Sequence, residues 1–379
     1  MKRLLALLSA AILAVMGAPL ALAEESPPVE VSARACLLME RETGEVLYAR
    51  EEHKQLEPAS VTKVMTMLLT VEALDSGAIH LDDLVTASAH AESMGGSQVF
   101  LKEGEQMSVE DLLKSVAVAS GNDAAVALAE HLAGSEPAFV ERMNRRAAEL
   151  GMKDTHFVNC NGLPAEGHVT SAWDIALMSR ELLSHESIRP FVGIWTDSIR
   201  NGEFHLANTN KLIRFYQGAT GLKTGFTDSA GFCISASAER DGMELIAVVL
   251  GSKTSVERFE GAKSLLNYGF GAYTLVDAAP QQPFPPVEVA LGAQDSVNVE
   301  QKESCRLLVK REQADQVTTQ VQLPERVDAP IEAGQPLGQL VISVGEEQRR
   351  TLPLNAVEDV PRLTLWQIFG RLCSAVTGT

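Results

Sequence analysis

The chain has 379 residues, 45% of them hydrophobic and 22% charged, enough apolar material for one large domain and a smaller one and too much for a disordered chain. Its formal net charge is −18, and −20 once the leader cations Lys2 and Arg3 are discounted, which excludes a nucleic-acid partner whose phosphates need neutralising. The five cysteines, Cys36, Cys160, Cys233, Cys305 and Cys373, are scattered and include no Cys-x-x-Cys pair, so neither a zinc site nor a disulfide framework is indicated, although one pair could bridge outside the cell.

The opening MKRLLALLSAAILAVMGAPLALA carries Lys2 and Arg3, an apolar run from Leu4, and small residues at Ala21 and Ala23. That is the pattern of a secretory leader over residues 1–23, cut after Ala23. Gly17 and Pro19 interrupt the run before it reaches spanning length, which argues against an uncleaved anchor. From Val29, VEVSARACLLMERETGEVLYAR alternates apolar and polar residues around Glu-Thr-Gly-Glu and predicts a hairpin turning near Thr43 and Gly44. Helical patterns follow in Pro58 to Leu74, in SVEDLLKSVAVAS with Ser108 and Asp111 as a capping box, and in NDAAVALAEHLAG ending at Gly134. Two more are EPAFVERMNRRAAELG, ending at Gly151, and SAWDIALMSRELLSH, with Ser171 and Asp174 as a second box. Strands return in ATGLKTGFT, GFCISASAER and MELIAVVLGS, parted by turns such as Asp241-Gly242, before SVERFEGAKSLLNYGF closes the domain with a helix. Strands at both ends with helices between them predict an α+β domain over residues 24–277, its antiparallel sheet joining the two termini.

Residues 278–286, AAPQQPFPP, read as a semi-rigid proline-rich linker. Beyond them, residues 287–357 alternate with period two and show no long helical pattern, which predicts a small all-β domain. In PRLTLWQIFGRLCSAV, residues 361–376, Leu365, Ile368, Phe369, Leu372, Cys373 and Val376 recur at steps of three and four, so a helix starting at Pro361 carries one continuous apolar stripe. At about 16 residues it is too short to span a bilayer, but with Trp366, Arg362 and Arg371 it suits a membrane interface; packing on the β domain is the alternative.

Ser60 and Lys63 lie among apolar neighbours in the first turn of the helix Pro58 to Leu74, which otherwise reads as buried. Three apart, they share a face, so the amine reaches the hydroxyl. Burial among Val61, Val64, Met65 and Leu68, with the helix N-terminus nearby, would disfavour the ammonium and leave an amine able to take the proton of Ser60 as it attacks a carbonyl. One Ser-x-x-Lys is expected by chance in such a chain, so the pattern is weak alone. Ser120-Gly121-Asn122 falls in a break between two helices, where a sharp turn would aim both side chains into a cleft. Lys223-Thr224-Gly225 is much rarer by chance, and Gly225 removes a side chain where another backbone or a substrate comes close.

In this order the three motifs resemble those of penicillin-binding proteins and serine β-lactamases. The stretches LLMERETGEVLYAR, PASVTKVMT, ASGNDAAVALAEH, GMKDTHFVNCNGL, GLKTGFTDSAGFC and ASAERDGMELIAVVLG resemble the low-molecular-weight D-alanyl-D-alanine carboxypeptidases, peptidase family S11, over roughly residues 29–275 and more loosely beyond. The resemblance implies a penicillin-binding-protein-like α+β domain, then a small all-β domain and a C-terminal amphipathic helix. It makes Ser60 the acyl-enzyme nucleophile, Lys63 its base, and Ser120 a proton relay to the leaving amine. Asn122 would hold the substrate amide, Lys223 and Thr224 the terminal carboxylate, and the N–H groups of Ser60 and Phe226 the oxyanion. The implied substrate is a peptidoglycan stem ending in D-Ala-D-Ala, with β-lactams as covalent inhibitors. The implied location is the outer face of the cytoplasmic membrane, held peripherally by the terminal helix. No metal or cofactor is implied, and no His-Glu-x-x-His or clustered His/Cys set occurs.

Two other readings share parts of this pattern. A class A β-lactamase needs a glutamate between the second and third motifs; Glu166 lies there in LPAEGHVTS, without the expected Glu-x-x-Leu-Asn. A non-catalytic wall-binding scaffold would need none of the six polar motif residues. His168, in the same stretch, either orders a loop beside the site or lies on the surface.

Overall fold

The structure, a computed structural model, describes residues 29–377, with side chains as far as Arg371. The expected leader, 1–23, and the stripe side chains of Leu372, Cys373 and Val376 lie outside the described residues.

The expected hairpin forms between β1 (Ala35–Glu40) and β2 (Val46–Arg50). Its turn is closed by the Glu40 carboxylate, which accepts from Thr43 N (2.6 Å) and Thr43 Oγ1 (2.8 Å), and by Gly44 at φ +74°. Six helices of nine residues or more follow in the catalytic half or close it: α1 (Lys63–Asp75), α2 (Val109–Ala117), α3 (Asn122–Ala133), α4 (Glu136–Glu149), α5 (Ala172–Leu182) and, after three strands, α6 (Ser255–Ala272). The strands are β3 (Ala219–Thr227), β4 (Gly231–Arg240) and β5 (Met243–Ser252). All five strands make one antiparallel sheet in the order β2-β1-β5-β4-β3, so β1 pairs with β5 and the two ends of the domain meet. Every residue of β1 and nearly every residue of β5 is buried, as when helices cover both faces of a sheet. α1 is buried from Lys63 to Leu68 without interruption, the mark of a helix enclosed on all sides.

The capping differs in detail from the boxes expected. Ser108 and Ser171 each accept from the N–H three residues on, at 3.1 and 3.2 Å, but the reciprocal half is missing. The Asp174 carboxylate instead accepts from Asp154 N and Thr155 Oγ1. A complete box forms at Thr254 and Glu257, where the longer side chain reaches back.

The second core is all β apart from a 3₁₀ turn at Arg311–Gln316. It begins earlier than the linker: β6 (Tyr273–Asp277), within the span read as the first domain, pairs antiparallel with β8 (Arg306–Lys310). Residues 278–286 contain no helix or strand, although Ala278 and Phe284 pack on this core. β7 (Val287–Ala290) belongs to a three-stranded sheet, while β9 (Val317–Gln322), β10 (Pro336–Val344) and β11 (Glu347–Ala356) form most of a four-stranded one.

The terminal helix α7 (Leu365–Thr377) begins four residues later than expected. Arg362 is still bridged to Gly292, and Thr364, rather than Pro361, starts the helix through a reciprocal box with Gln367 at 2.8 and 3.4 Å. Leu365, Trp366 and Phe369 are 84%, 84% and 61% exposed, so this face is not packed on the β domain. Arg371 tethers the helix through Asp295 and the Ala293 carbonyl. Among the described residues no helix is long and apolar enough to cross a membrane.

Candidate active site

Ser60 lies in a 3₁₀ turn, Ala59–Thr62, that leads directly into α1. In a 3₁₀ turn, residues three apart eclipse, and Lys63 Nζ comes to 3.0 Å from Ser60 Oγ. Ala59, just before the serine, sits at φ +48°, and Ser120 at φ +63°. Both are positions where a residue with a Cβ is strained, and such strain clusters at functional sites.

Lys63 is fully buried and donates to three acceptors: Ser60 Oγ, Asn122 Oδ1 at 2.6 Å and the Asn161 carbonyl at 2.5 Å. No carboxylate is among them. Burial lowers its pKa from 10.5 to about 7, against the opposing pull of Cys160 and Asp123. The shift brings the neutral amine within reach at neutral pH.

Asn122 begins α3 and is buried. Its oxygen accepts from Lys63, and its Nδ2 donates to the Gly95 carbonyl at 2.7 Å. In this arrangement its amide holds the lysine and the 95–97 loop, a different use from the grip on a substrate amide that the resemblance implies. Ser120 Oγ has no hydrogen-bond partner among the described residues, and the side chain is nearly buried.

The third motif lies on β3, with Lys223 opposite Ser235 and Gly225 opposite Cys233. Lys223 is buried, its Nζ donates to the Thr224 carbonyl at 2.9 Å, and its pKa falls well below 10.5 through burial first, then the positive charges of Lys63 and Arg258. Two residues on, Gly225 packs against the Ser60 turn, which places the Lys223 strand beside the Ser60–Lys63 pair. Thr224 Oγ1 donates to Thr209 Oγ1 at 2.7 Å. Gly225 meets its expectation: a Cβ there would lie 2.9 Å from both the Pro58 carbonyl oxygen and Ser60 N. The backbone of the Ser60 turn thus rests on β3, which brings the peptide groups of Ser60 and Phe226 together. The Phe226 ring stands half exposed at the rim, stacked on Phe232 at 4.3 Å.

Four further residues, not singled out by the motifs, shape the site. The carbonyl of Asn161 holds Lys63, and the following Gly162, at φ +87°, lets its loop touch the Ala59 peptide; a Cβ there would sit 1.9 Å from the Ala59 oxygen. Asn159 shapes this loop by accepting from Gly162 N at 2.7 Å, so the Asn-x-Asn-Gly run was the available signal. Arg258, on α6, is buried without an acidic partner and donates to the carbonyls of Gly225 and Cys233 at 3.2 and 3.4 Å, holding the motif strand from behind. Burial lowers its pKa to about 10.

Of the two readings of His168, the loop-ordering one holds. The ring is buried, accepts from Val158 N at Nδ1 (3.0 Å), and therefore carries its proton on Nε2, which faces Thr62 Oγ1 at 2.8 Å. Its pKa drops to about 4 by burial, so it is a neutral strut between the loop and the nucleophile's turn. Glu166 is exposed, and no acidic side chain among the described residues bonds Ser60 or Lys63. A cavity of about 790 Å³ opens elsewhere, between Leu74, Ile79, Phe191 and Ile194, and includes none of these residues.

The sheet flanked by helices and this set of side chains define a serine enzyme built like a penicillin-binding protein. Residues 21–254 match the D-alanyl-D-alanine carboxypeptidase family model, and residues 279–362 match the C-terminal domain of penicillin-binding protein 5. The D-alanyl-D-alanine carboxypeptidase DacF of Bacillus subtilis is 43% identical over 371 residues, covering 96% of this chain and 95% of that protein. Penicillin-binding protein 5 of Haemophilus influenzae superposes with a TM-score of 0.78 at 30% identity, over 89% of this chain and 99% of that one. Penicillin-binding protein D2 of Listeria monocytogenes, solved in its ampicillin-bound form, gives 0.59 at 34% identity, over 64% of this chain and 100% of that one. The chain belongs to the D-alanyl-D-alanine carboxypeptidase family, peptidase family S11, the low-molecular-weight penicillin-binding proteins.

Proposed function

We propose that this serine-type D-alanyl-D-alanine carboxypeptidase removes the terminal D-alanine of peptidoglycan pentapeptide stems through an ester on Ser60, and that penicillin traps it at that stage. One observation carries the reading: Lys63 is buried with three acceptors and no counter-ion. As a neutral amine it has two N–H bonds, which satisfy Asn122 Oδ1 and the Asn161 carbonyl. Its lone pair is then left for the hydroxyl proton of Ser60. As Oγ bonds to the carbonyl carbon, that proton passes to Nζ and negative charge gathers on the carbonyl oxygen. The adjacent peptide N–H groups of Ser60 and Phe226 stabilise it. Collapse breaks the C–N bond; the leaving amine takes a proton from Lys63, with Ser120 as relay, and free D-alanine departs. Water then hydrolyses the ester.

Lys223 and Thr224 would bind the terminal carboxylate, whose arrival beside Lys223 restores its ammonium. The β-lactamase reading is disfavoured by the exposed Glu166 and by the lack of any carboxylate on Ser60 or Lys63. Penicillin capture is favoured by the Listeria relative's ampicillin-bound form. We also propose that the exposed Leu365, Trp366 and Phe369 hold the chain on the outer face of the cytoplasmic membrane. The test is release of D-alanine from a defined pentapeptide together with labelled penicillin: capture should be covalent and vanish in Ser60→Ala. A chain that neither releases D-alanine nor captures penicillin would be the scaffold instead.

A further inference from the structure

In a chain of net charge −18, four arginines converge on one cavity of about 470 Å³ where the two cores meet. Arg180 comes from α5, Arg306 from β8, and Arg349 and Arg350 from β11; the β1–β2 turn supplies the remaining wall with Glu42 and Glu45. The guanidinium groups are fixed mainly by carbonyls, which orient them without cancelling their charge. Arg180 donates to the carbonyls of Arg41 and Glu42 at 2.7 and 3.0 Å, and Arg350 to those of Ser304 and Arg306 at 2.9 and 3.3 Å. Arg306 donates to the Gly242 carbonyl and to Glu42 Oε2, both at 2.7 Å.

Two acids, Glu42 and Glu45, lie in the same wall. Glu42 is paired with Arg306 and also accepts from Ser304 Oγ at 2.6 Å. Burial raises the pKa of Glu45, with Arg349 opposing. Outside the wall, Glu303 stands 3.5 Å from Arg350 and Glu347 3.8 Å from Arg349. Within the wall four arginines face two glutamates, and with Glu303 and Glu347 beside it the charges are equal in number, so what the cavity offers an anion is the fixed orientation of its guanidinium groups. Arg349 makes no hydrogen bond among the described residues and meets Glu347 only at 3.8 Å through Nη1, so most of its planar fork is open to a ligand.

We propose that this cavity binds the phosphate group of a soluble phosphate ester, clasped between the catalytic half and the β domain. Fixed guanidinium forks match phosphate oxygens two at a time. The volume lies in the range of small-molecule pockets and exceeds what a bare ion needs, which favours an ester. None of the residues in the Ser60 hollow takes part, so the site stands independently of the catalytic reading.

Calorimetric titration of the full chain with glycerol 1-phosphate at low salt tests this. The expected result is one site with Kd below about 1 mM, weakened at least about tenfold in Arg349→Gln and unchanged in Lys302→Gln, a lysine outside the cavity. Since the only ionic contact of Arg349 among the described residues is the long, exposed one with Glu347, its variant should melt near the wild-type temperature without ligand. No heat at about 10 mM ester, or equal affinity in Arg349→Gln, overturns the proposal. So does phosphatidylglycerol-vesicle binding that depends on Arg349 while the soluble ester gives no response, because the site would then read a lipid headgroup.

Discussion

Gly162→Ala puts a single methyl group where the Lys63 site is least able to accommodate it. The new Cβ would lie 1.9 Å from the Ala59 oxygen and 2.4 Å from its carbonyl carbon, and real contacts stay above 3.0 Å. The loop and the Ala59 peptide must therefore part by about 1 Å. Ala59 has little room to retreat, because its turn already rests on β3 at Gly225. Moving the loop draws the Asn161 carbonyl, now 2.5 Å away, off Lys63 Nζ. A displacement of about 1 Å costs on the order of a hundredfold in rate, and a left-handed alanine costs about 1–2 kcal/mol in stability. Stopped-flow acylation by a fluorescent penicillin should slow about a hundredfold while thermal unfolding stays cooperative. Gly134→Ala is the control: its φ is +80° but nothing lies within 4 Å of the added Cβ, so it carries the backbone strain alone and should acylate normally. A folded Gly162→Ala that acylates within about twofold of the parent would refute the claim that this loop sets the lysine.

His168 gives a stability prediction. Its pKa falls from 6.5 to about 4 on folding, so the unfolded chain alone takes up the proton between those values. The contribution is present above pH 6.5 and is lost as pH falls towards 4, by about 3 kcal/mol. Urea unfolding of His168→Gln should show a correspondingly smaller loss across that window, and an identical loss would remove the histidine from the pH response. Lys63→Arg should fold but acylate very slowly, since a guanidinium does not deprotonate in a protein; normal acylation there would take Lys63 out of the mechanism. Truncation before Pro361 should abolish vesicle cosedimentation and leave D-alanine release intact, and a truncated chain that still sediments would point to another membrane contact.

Much of the architecture was legible because period and punctuation agreed. The segments ATGLKTGFT, GFCISASAER and MELIAVVLGS coincide with β3, β4 and β5, each bounded by glycine or Asp-Gly turns. Ser60 and Lys63 were legible because helical spacing alone makes them meet, and Gly225 because its lack of a side chain had to serve a close approach. Asn161 was not, since it acts through a carbonyl that every residue type has. Arg258 was hidden for another reason: only the packing of α6 on the sheet puts its guanidinium behind Gly225. Tyr273–Asp277 follows α6 without a break, and its partner strand lies across the linker, so pairing rather than local pattern assigns it to the second core. At the terminal helix, the Thr364/Gln367 box outweighed the proline signal at Pro361.

The pH dependence of acylation tests the role of Lys63 most directly. An ordinary lysine of pKa 10.5 is unprotonated about once in 3,000 at pH 7, whereas a value near 7 makes it half unprotonated, a gain of roughly a thousandfold in free base that corresponds to about 5 kcal/mol against the buried ammonium. The second-order rate constant for acylation should climb about tenfold per pH unit on the acid side and level off above a midpoint near 7. A rate that is flat from about pH 5 to 9, or that keeps rising towards pH 10.5, would mean that the amine of Lys63 is not the base.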